Sequence, residues 1–177
     1  MSKTVVLYQS KYGSAKRYAQ WLAEELSCDL IETKKAKIEE VVKYDVIILG
    51  GGVYASGIAG SSFLRKHYAR LREKKIVVFA VGASPHDEKV MNIIRERNLK
   101  GELAGIPCFY FRGGWNEEKM SWLDRFLCNM LKKAVAKKDP ATLEVWEAAL
   151  LEASGSVCDW TDKAQLQPLL EHLRNLN

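Results

Sequence analysis

Four short apolar runs, Val5 to Tyr8, Val46 to Leu49, Ile76 to Val81 and Cys108 to Phe111, alternate along the chain with stretches of helical spacing, and none shows a period of two. A strand that is apolar at every position is covered on both faces, the habit of parallel sheets flanked by helices. A shorter run, Asp29 to Glu32, has polar flanks and suits an edge strand; Pro107, ahead of the last run, suits the opposite edge. Between the runs, Ala15, Tyr18, Ala19, Leu22 and Leu26 recur at helical spacing. So do Phe63, Leu64, His67, Tyr68 and Leu71, and then Val90, Met91 and Ile94. The pattern predicts an α/β doubly wound sandwich on a five-stranded parallel sheet.

At 177 residues the chain has the length of one domain, expected to run over 1–177. With 47% hydrophobic and 28% charged residues, disorder and disulfide-scaffold classes are set aside. No apolar run approaches the roughly 18 residues that cross a bilayer, and Met1-Ser2-Lys3 leads straight into the first strand, too short for a signal-peptide core. A cytoplasmic protein is expected. Cys28, Cys108, Cys128 and Cys158 contain no C-x-x-C pair and only three histidines accompany them, so they read as buried free thiols and no metal is expected. The formal charge of +5 suits an anionic ligand, an anionic membrane surface or nucleic acid without choosing among them.

Ligands of doubly wound folds sit at the carboxyl ends of the strands, so the strand exits carry the functional signal. The first strand leaves through Ser10-Lys11-Tyr12-Gly13-Ser14-Ala15 directly into a helix. Hydroxyls, a glycine and free backbone N–H groups at a helix N-terminus suit a phosphate. The loop lacks the lysine and spacing of a Walker A motif, which disfavours a nucleoside triphosphate with magnesium. The same residues also read as a plain turn with Ser14 as N-cap. The third strand leaves through Gly50-Gly51-Gly52-Val53-Tyr54-Ala55-Ser56-Gly57. Gly50, Gly52 and Ala55 satisfy G-x-G-x-x-A, yet no helix opens there and no acid follows at the required distance, so a dinucleotide fingerprint is rejected. A glycine-rich loop with one aromatic residue instead lets backbone approach a flat ring, with Tyr54 covering one face. The fourth strand leaves through Gly82-Ala83-Ser84-Pro85, again small. No Asp follows the first strand or ends the third, which excludes a phosphoacceptor receiver domain.

In this order the three loops resemble the flavodoxin family, whose phosphate loop is commonly written [ST]-x-T-G-x-T. The resemblance implies a flavodoxin-like sheet of strand order 2-1-3-4-5 and FMN as cofactor. It implies that Ser10, Gly13 and Ser14, with the backbone of Lys11, Tyr12 and Ala15, hold the phosphate. Tyr54, within Gly52-Val53-Tyr54-Ala55, would stack on the isoalloxazine, and Gly82, Ala83 and Ser84 would line its edge. Tyr12 and Ala15 stand where the family has threonines, and the chain is basic where flavodoxin carriers are acidic.

A doubly wound domain does not need the segment 113–156 between the last strand and the final helix. Met120, Leu123, Phe126, Leu127, Met130, Leu131 and Ala134 form an apolar stripe, Asp139-Pro140 reads as a second helix start, and Gly155 reads as its stop. A helical hairpin is expected, acting as a lid, a dimer contact or a peripheral membrane contact. Trp122-Leu123-Asp124-Arg125-Phe126 and Val157-Cys158-Asp159-Trp160 resemble the menaquinone-dependent protoporphyrinogen dehydrogenase branch of the family. That resemblance implies an FMN-dependent oxidoreductase passing electrons from an organic substrate to a quinone-type partner. The hairpin adds the expectation of a location peripheral to the inner membrane face beside the cytoplasmic one, and no nucleic-acid partner is expected. The alternatives are an electron carrier without its own substrate and a non-enzymatic binding module. His67, His86 and His172 fall on helices or at a helix start and no G-x-S-x-G elbow exists, so a hydrolase triad is not supported. Pro168 either kinks or restarts the final helix.

Overall fold

The computed structural model describes residues 3–176. Five parallel strands form the sheet: β1 (Thr4–Gln9), β2 (Asp29–Glu32), β3 (Val46–Tyr54), β5 (Lys75–Gly82) and β6 (Cys108–Arg112), in the order β2-β1-β3-β5-β6. This is the expected 2-1-3-4-5 arrangement, with β2 and the Pro107-led β6 at the edges. A two-residue strand, β4 (Gly57–Ile58), adds an antiparallel pair to the end of β3. The register sets Val5 opposite Ile47 and Leu7 opposite Leu49, and carries Gly50, Gly51 and Gly52 level with Phe79, Ala80 and Val81.

Successive strand residues feed two different cores, which is why the runs lack alternation. Val5, Leu7, Ile47, Leu49 and Val78 pack on one side with α2 (Ile38–Val41), α3 (Ser61–Leu71) and α4 (Glu88–Asn98), where Leu64, Leu71, Met91 and Ile94 are fully covered. Val6, Ile48, Val77 and Phe79 face α1 (Ser14–Leu26) and, further along the chain, α7 (Gln167–Asn175) on the other side, with Tyr18, Leu22 and Leu169. Each such aliphatic side chain, fully buried, contributes about 1.5–3 kcal/mol relative to exposure.

Between β6 and α7 the chain builds a separate arm. β7 (Gly114–Asn116) pairs antiparallel with β8 (Val157–Asp159), and between them lie α5 (Trp122–Val135) and α6 (Val145–Ala153). Asp139 and Pro140 start only a 3₁₀ turn, Pro140–Thr142; α6 begins later, under a capping box of Glu144 and Glu147. Gly155, at φ 74°, closes it in the left-handed conformation expected of a helix stop. Pro168 restarts the chain: it occupies the first turn of α7, where a missing N–H costs nothing.

The third strand runs further than its apolar run, through the three glycines to Tyr54. Ala55 (φ 45°) and Ser56 (φ 64°) then form a two-residue hairpin into β4, with Tyr54 paired to Gly57. Both residues are left-handed, as a tight hairpin between right-twisted strands requires, at about 1 kcal/mol or more each because neither is glycine.

Candidate functional site

The exits of β1, β3 and β5 converge on one cavity of about 340 Å³, a size ordinary for small-molecule sites. Ser10, Tyr12, Ser14 and Ala15 line it from the first exit, Gly52, Val53, Tyr54 and Ala55 from the second, and Gly82 and Ala83 from the third. Lys11, Gly13 and Ser84 lie beside it without lining it. Ser84 belongs to an adjoining cavity of about 200 Å³ and accepts a hydrogen bond on its carbonyl from Tyr110 OH at 2.7 Å.

The loop after β1 is built for an anion. Gly13 takes φ 102° at the N-terminus of α1, and its N–H donates to Ser10 Oγ at 3.0 Å. Arg17 N is bonded to Gly13 O, so the earlier N–H groups of the helix have no intrahelical partner. Ser14 is the first helical residue rather than the N-cap. Its hydroxyl accepts from Gly114 N at 3.1 Å, which ties the loop to the base of the arm. Tyr54 lies back across the second exit: its hydroxyl accepts from Lys11 N at 3.1 Å, and its ring stands edge-on to Tyr12. Gly52 permits this, since a Cβ there would come within 2.6 Å of the Tyr54 hydroxyl.

The roof comes from α5 and the residues leading into it. Asp124, Leu127, Cys128 and Leu131 of α5 line the cavity, with Met120 just ahead of the helix and Trp115 of β7 beside them. Asp124 sits in the first turn, where Ser121 caps the helix by accepting from Asp124 N at 3.2 Å. Its carboxylate receives Lys11 Nζ and Tyr12 OH, and Tyr12 OH in turn accepts from Ser121 N at 3.2 Å. The Lys11 ammonium, then the Tyr12 hydroxyl, hold the Asp124 carboxyl below the usual range, while the same contact raises Lys11. Asp124 and Arg125 are therefore not a local surface pair; Arg125 donates to the Glu117 and Glu118 carbonyls at 3.0 and 2.9 Å. Lys132 is half-buried against Glu117 at 2.8 Å.

The adjoining cavity lies between the arm and the α4 side of the sheet. It shares Val53, Gly82, Trp115 and Leu131 with the first and adds Ile94, Tyr110 and Trp146. Burial pushes Tyr110 up to about 12, and it raises the Cys128 thiol as well, so neither titrates near neutrality. The lining of the main cavity holds no histidine and a single carboxylate, already engaged by Lys11 and Tyr12. The walls can bind and orient a flat anionic molecule; they carry no acid–base pair of their own.

Residues 5–142 match the flavodoxin domain. The chain belongs to that family. A curated relative, the quinone-type protoporphyrinogen IX dehydrogenase of Escherichia coli K12, is 21% identical over 183 residues, covering 93% of this chain and 99% of its own. A flavoprotein of Bacteroides eggerthii superposes with a TM-score of 0.50 at 17% identity, covering 78% of this chain and 100% of that one. A WrbA-like flavodoxin of Agrobacterium tumefaciens gives 0.47 at 21%, covering 71% and 88%. At these identities the solved structures bear on the fold alone.

Within this flavodoxin domain the three exits read from the sequence lie around one cavity. A lid is one of the roles expected of the hairpin, but Trp115 and the individual α5 residues of the roof are not among the sequence-predicted site residues. Trp115 was within reach, because Arg112-Gly113-Gly114-Trp115 is the exit of the next strand and obeys the same rule. Asp124 was not, because nothing in its spacing says that α5 folds back onto the first exit. The four cysteines are free, but half-buried rather than buried.

Proposed function

We propose that this chain is an FMN-binding oxidoreductase that passes electrons from an organic substrate to a quinone-type acceptor. The observation that carries the reading is a single cavity joining an anion cradle at a helix N-terminus to aromatic and small-residue walls, with a second apolar cavity beside it. A phosphorylated flavin fits that division: charge at the α1 end, a flat ring between Tyr54 and the Gly82-Ala83 turn.

When bound, FMN supplies the electron-accepting and electron-returning chemistry that no side chain here provides. Ser10, Gly13 and Ser14, with the N–H groups of Tyr12 and Ala15, would hold the phosphate, and the Lys11 N–H would join them on leaving the Tyr54 hydroxyl. Gly52, Val53, Tyr54 and Ala55 take one side of the ring; Gly82, Ala83 and Ser84 take its edge. Trp115, Leu127 and Leu131 keep water from the ring and shape the way into the adjoining cavity, where Tyr110 and Trp146 suit an apolar, conjugated molecule. The substrate and acceptor classes follow the name of the Escherichia coli relative: a protoporphyrinogen-type donor and a quinone. The whole chain acts as one flavodoxin-like domain, with segment 113–156 as the roof of its site.

The test is anaerobic stopped-flow of the flavin-loaded, chemically reduced protein against a soluble naphthoquinone. Rapid reoxidation is expected, slowed about tenfold or more in Leu131→Trp, which fills the passage while leaving flavin bound. A reduced protein that ignores the quinone but reduces a one-electron redox protein would make it a carrier.

A further inference from the structure

Helix α5 carries an apolar face that nothing among the described residues covers. Trp122 is 79% exposed, Phe126 56%, Met130 55% and Leu123 48%, adjacent to one another at three- and four-residue spacing. Scattered exposed apolar residues need no explanation; a contiguous patch of large ones on a single helix marks an interaction surface. Helical spacing predicted an apolar stripe here, and in the structure much of that stripe points outward.

We infer that this face docks on an anionic lipid bilayer, with α5 lying in the interface plane. Three observations select that occupant. Between Lys119 and Lys138 the chain holds six basic residues and one acid, and the acid, Asp124, is turned inward onto Lys11. Lys119, Lys133 and Lys137 are exposed and take part in none of the ion pairs among the described residues, so their charge is free at the margins and ends of the apolar face. Large apolar and aromatic residues flanked by free lysines form the pattern of an interfacial helix, whose lysine stems lie along the apolar region while their ammonium groups reach the headgroups. Second, α5 has 14 residues, and among the described residues no helix is long and apolar enough to cross a membrane, so this helix can lie on a bilayer but not span it. Third, the face is continuous with the site: Leu127 and Leu131 are both exposed on it and part of the cavity lining.

A second copy of the chain fits less well. An isologous contact through α5 would bring Lys119, Lys133 and Lys137 against the same three residues of the other protomer, and like charges across an interface are costly. An anionic surface turns the same charges into attraction, about 1 kcal/mol per basic residue near the headgroups. The consequence for the reading above, on which this sentence alone rests, is that an apolar acceptor dissolved in the bilayer reaches the cavity past Leu127 and Leu131 without crossing water.

The experiment is co-sedimentation of the full chain with vesicles of phosphatidylglycerol and phosphatidylcholine, and with phosphatidylcholine alone. It reads no redox activity, so it fails or succeeds independently of the proposed reaction. Binding to the mixed vesicles is expected, with little to the neutral ones, and a drop in affinity of roughly tenfold or more in Trp122→Ser/Phe126→Ser, two residues that do not line the cavity. Brominated acyl chains are expected to quench the emission component that Trp122→Phe removes, a readout that does not depend on the double variant. Absence of binding to the mixed vesicles overturns the inference. So does unchanged binding of the double variant without Trp122 quenching, which would leave only non-specific charge, and so does a concentration-dependent dimer that the double variant abolishes while vesicles bind neither form.

Discussion

Asp124 places a carboxylate where a phosphate would compete for the same ammonium. It lines the cavity with Ser10 and Tyr12, and it holds both Lys11 and the Tyr12 hydroxyl. Removing its charge frees Lys11 for the ligand and removes a like charge beside it. Asp124→Asn is therefore expected to tighten FMN binding by about threefold to tenfold, the effect of one partly screened charge, and to leave riboflavin, which has no phosphate, little changed. Lys11→Met is expected to act oppositely, weakening FMN and sparing riboflavin. Equilibrium titration by flavin fluorescence checks both. At this scale the sequence was only partly legible. Ser10, Gly13 and Ser14 could be placed by their position after a strand, because local chemistry makes a phosphate loop. The partner of Tyr12, a tyrosine where the family has threonine, lies more than a hundred residues away in α5, and no local pattern predicts it.

The glycine run of β3 shows what an element asks of its residues. A Cβ on Gly50 would come within 1.8 Å of the Phe79 ring, which fills the space on the neighbouring strand. Phe79 is fully buried and cannot retreat, so Gly50→Ala is expected to cost about 1–3 kcal/mol or more by overpacking, read as a lowered midpoint in urea. The β7–β8 ribbon offers a pH-dependent test. The Thr161 hydroxyl and the Arg17 guanidinium lower Asp159 to about 2, and Arg17 Nη1 lies 2.6 Å from its carboxylate. A group depressed from 3.8 stabilises the fold above that value and loses the contribution as pH falls through about 2. About half exposed, the pair is worth less than about 1 kcal/mol. Asp159→Asn is expected to be slightly less stable than the parent chain above pH 5, with the difference shrinking as pH falls through about 2 and vanishing below it; a difference that stays constant into that range would contradict the assignment. Periodicity announced the strands, α1, α3, α4 and the stripe on α5, because burial repeats with the element. It could not say what covers a stripe, and on α5 the apolar positions are divided between a cavity and solvent. Nor could it foresee the Ala55-Ser56 hairpin, where tight strand return overrides the usual preference for glycine.

Across the molecule, the sheet and its two cores form a frame whose strand ends create a cavity, and the arm between β6 and α7 roofs it. The arm is anchored at its base and again along α5, where Asp124 meets Lys11 and Tyr12. Trp160 N donates to Gly113 O at 3.0 Å, the Arg112 guanidinium lies 3.8 Å from the Trp160 ring centroid, and Ser14 Oγ accepts from Gly114 N. The Val157-Cys158-Asp159-Trp160 stretch thus closes the arm onto the loop after β1. Fold class was legible because doubly covered strands and amphipathic helices leave unmistakable patterns; the arm was legible only as an extra pair of helices, since its docking depends on contacts distant in sequence. The central claim is that the three exits and the roof together hold one phosphorylated flavin. The most direct measurement is titration of the folded, full-length chain with FMN, followed by the visible spectrum and fluorescence of the retained flavin. The account predicts one FMN per chain, a perturbed band and quenched emission that recovers in Tyr54→Ala. A chain that is folded by circular dichroism yet retains no flavin would contradict it.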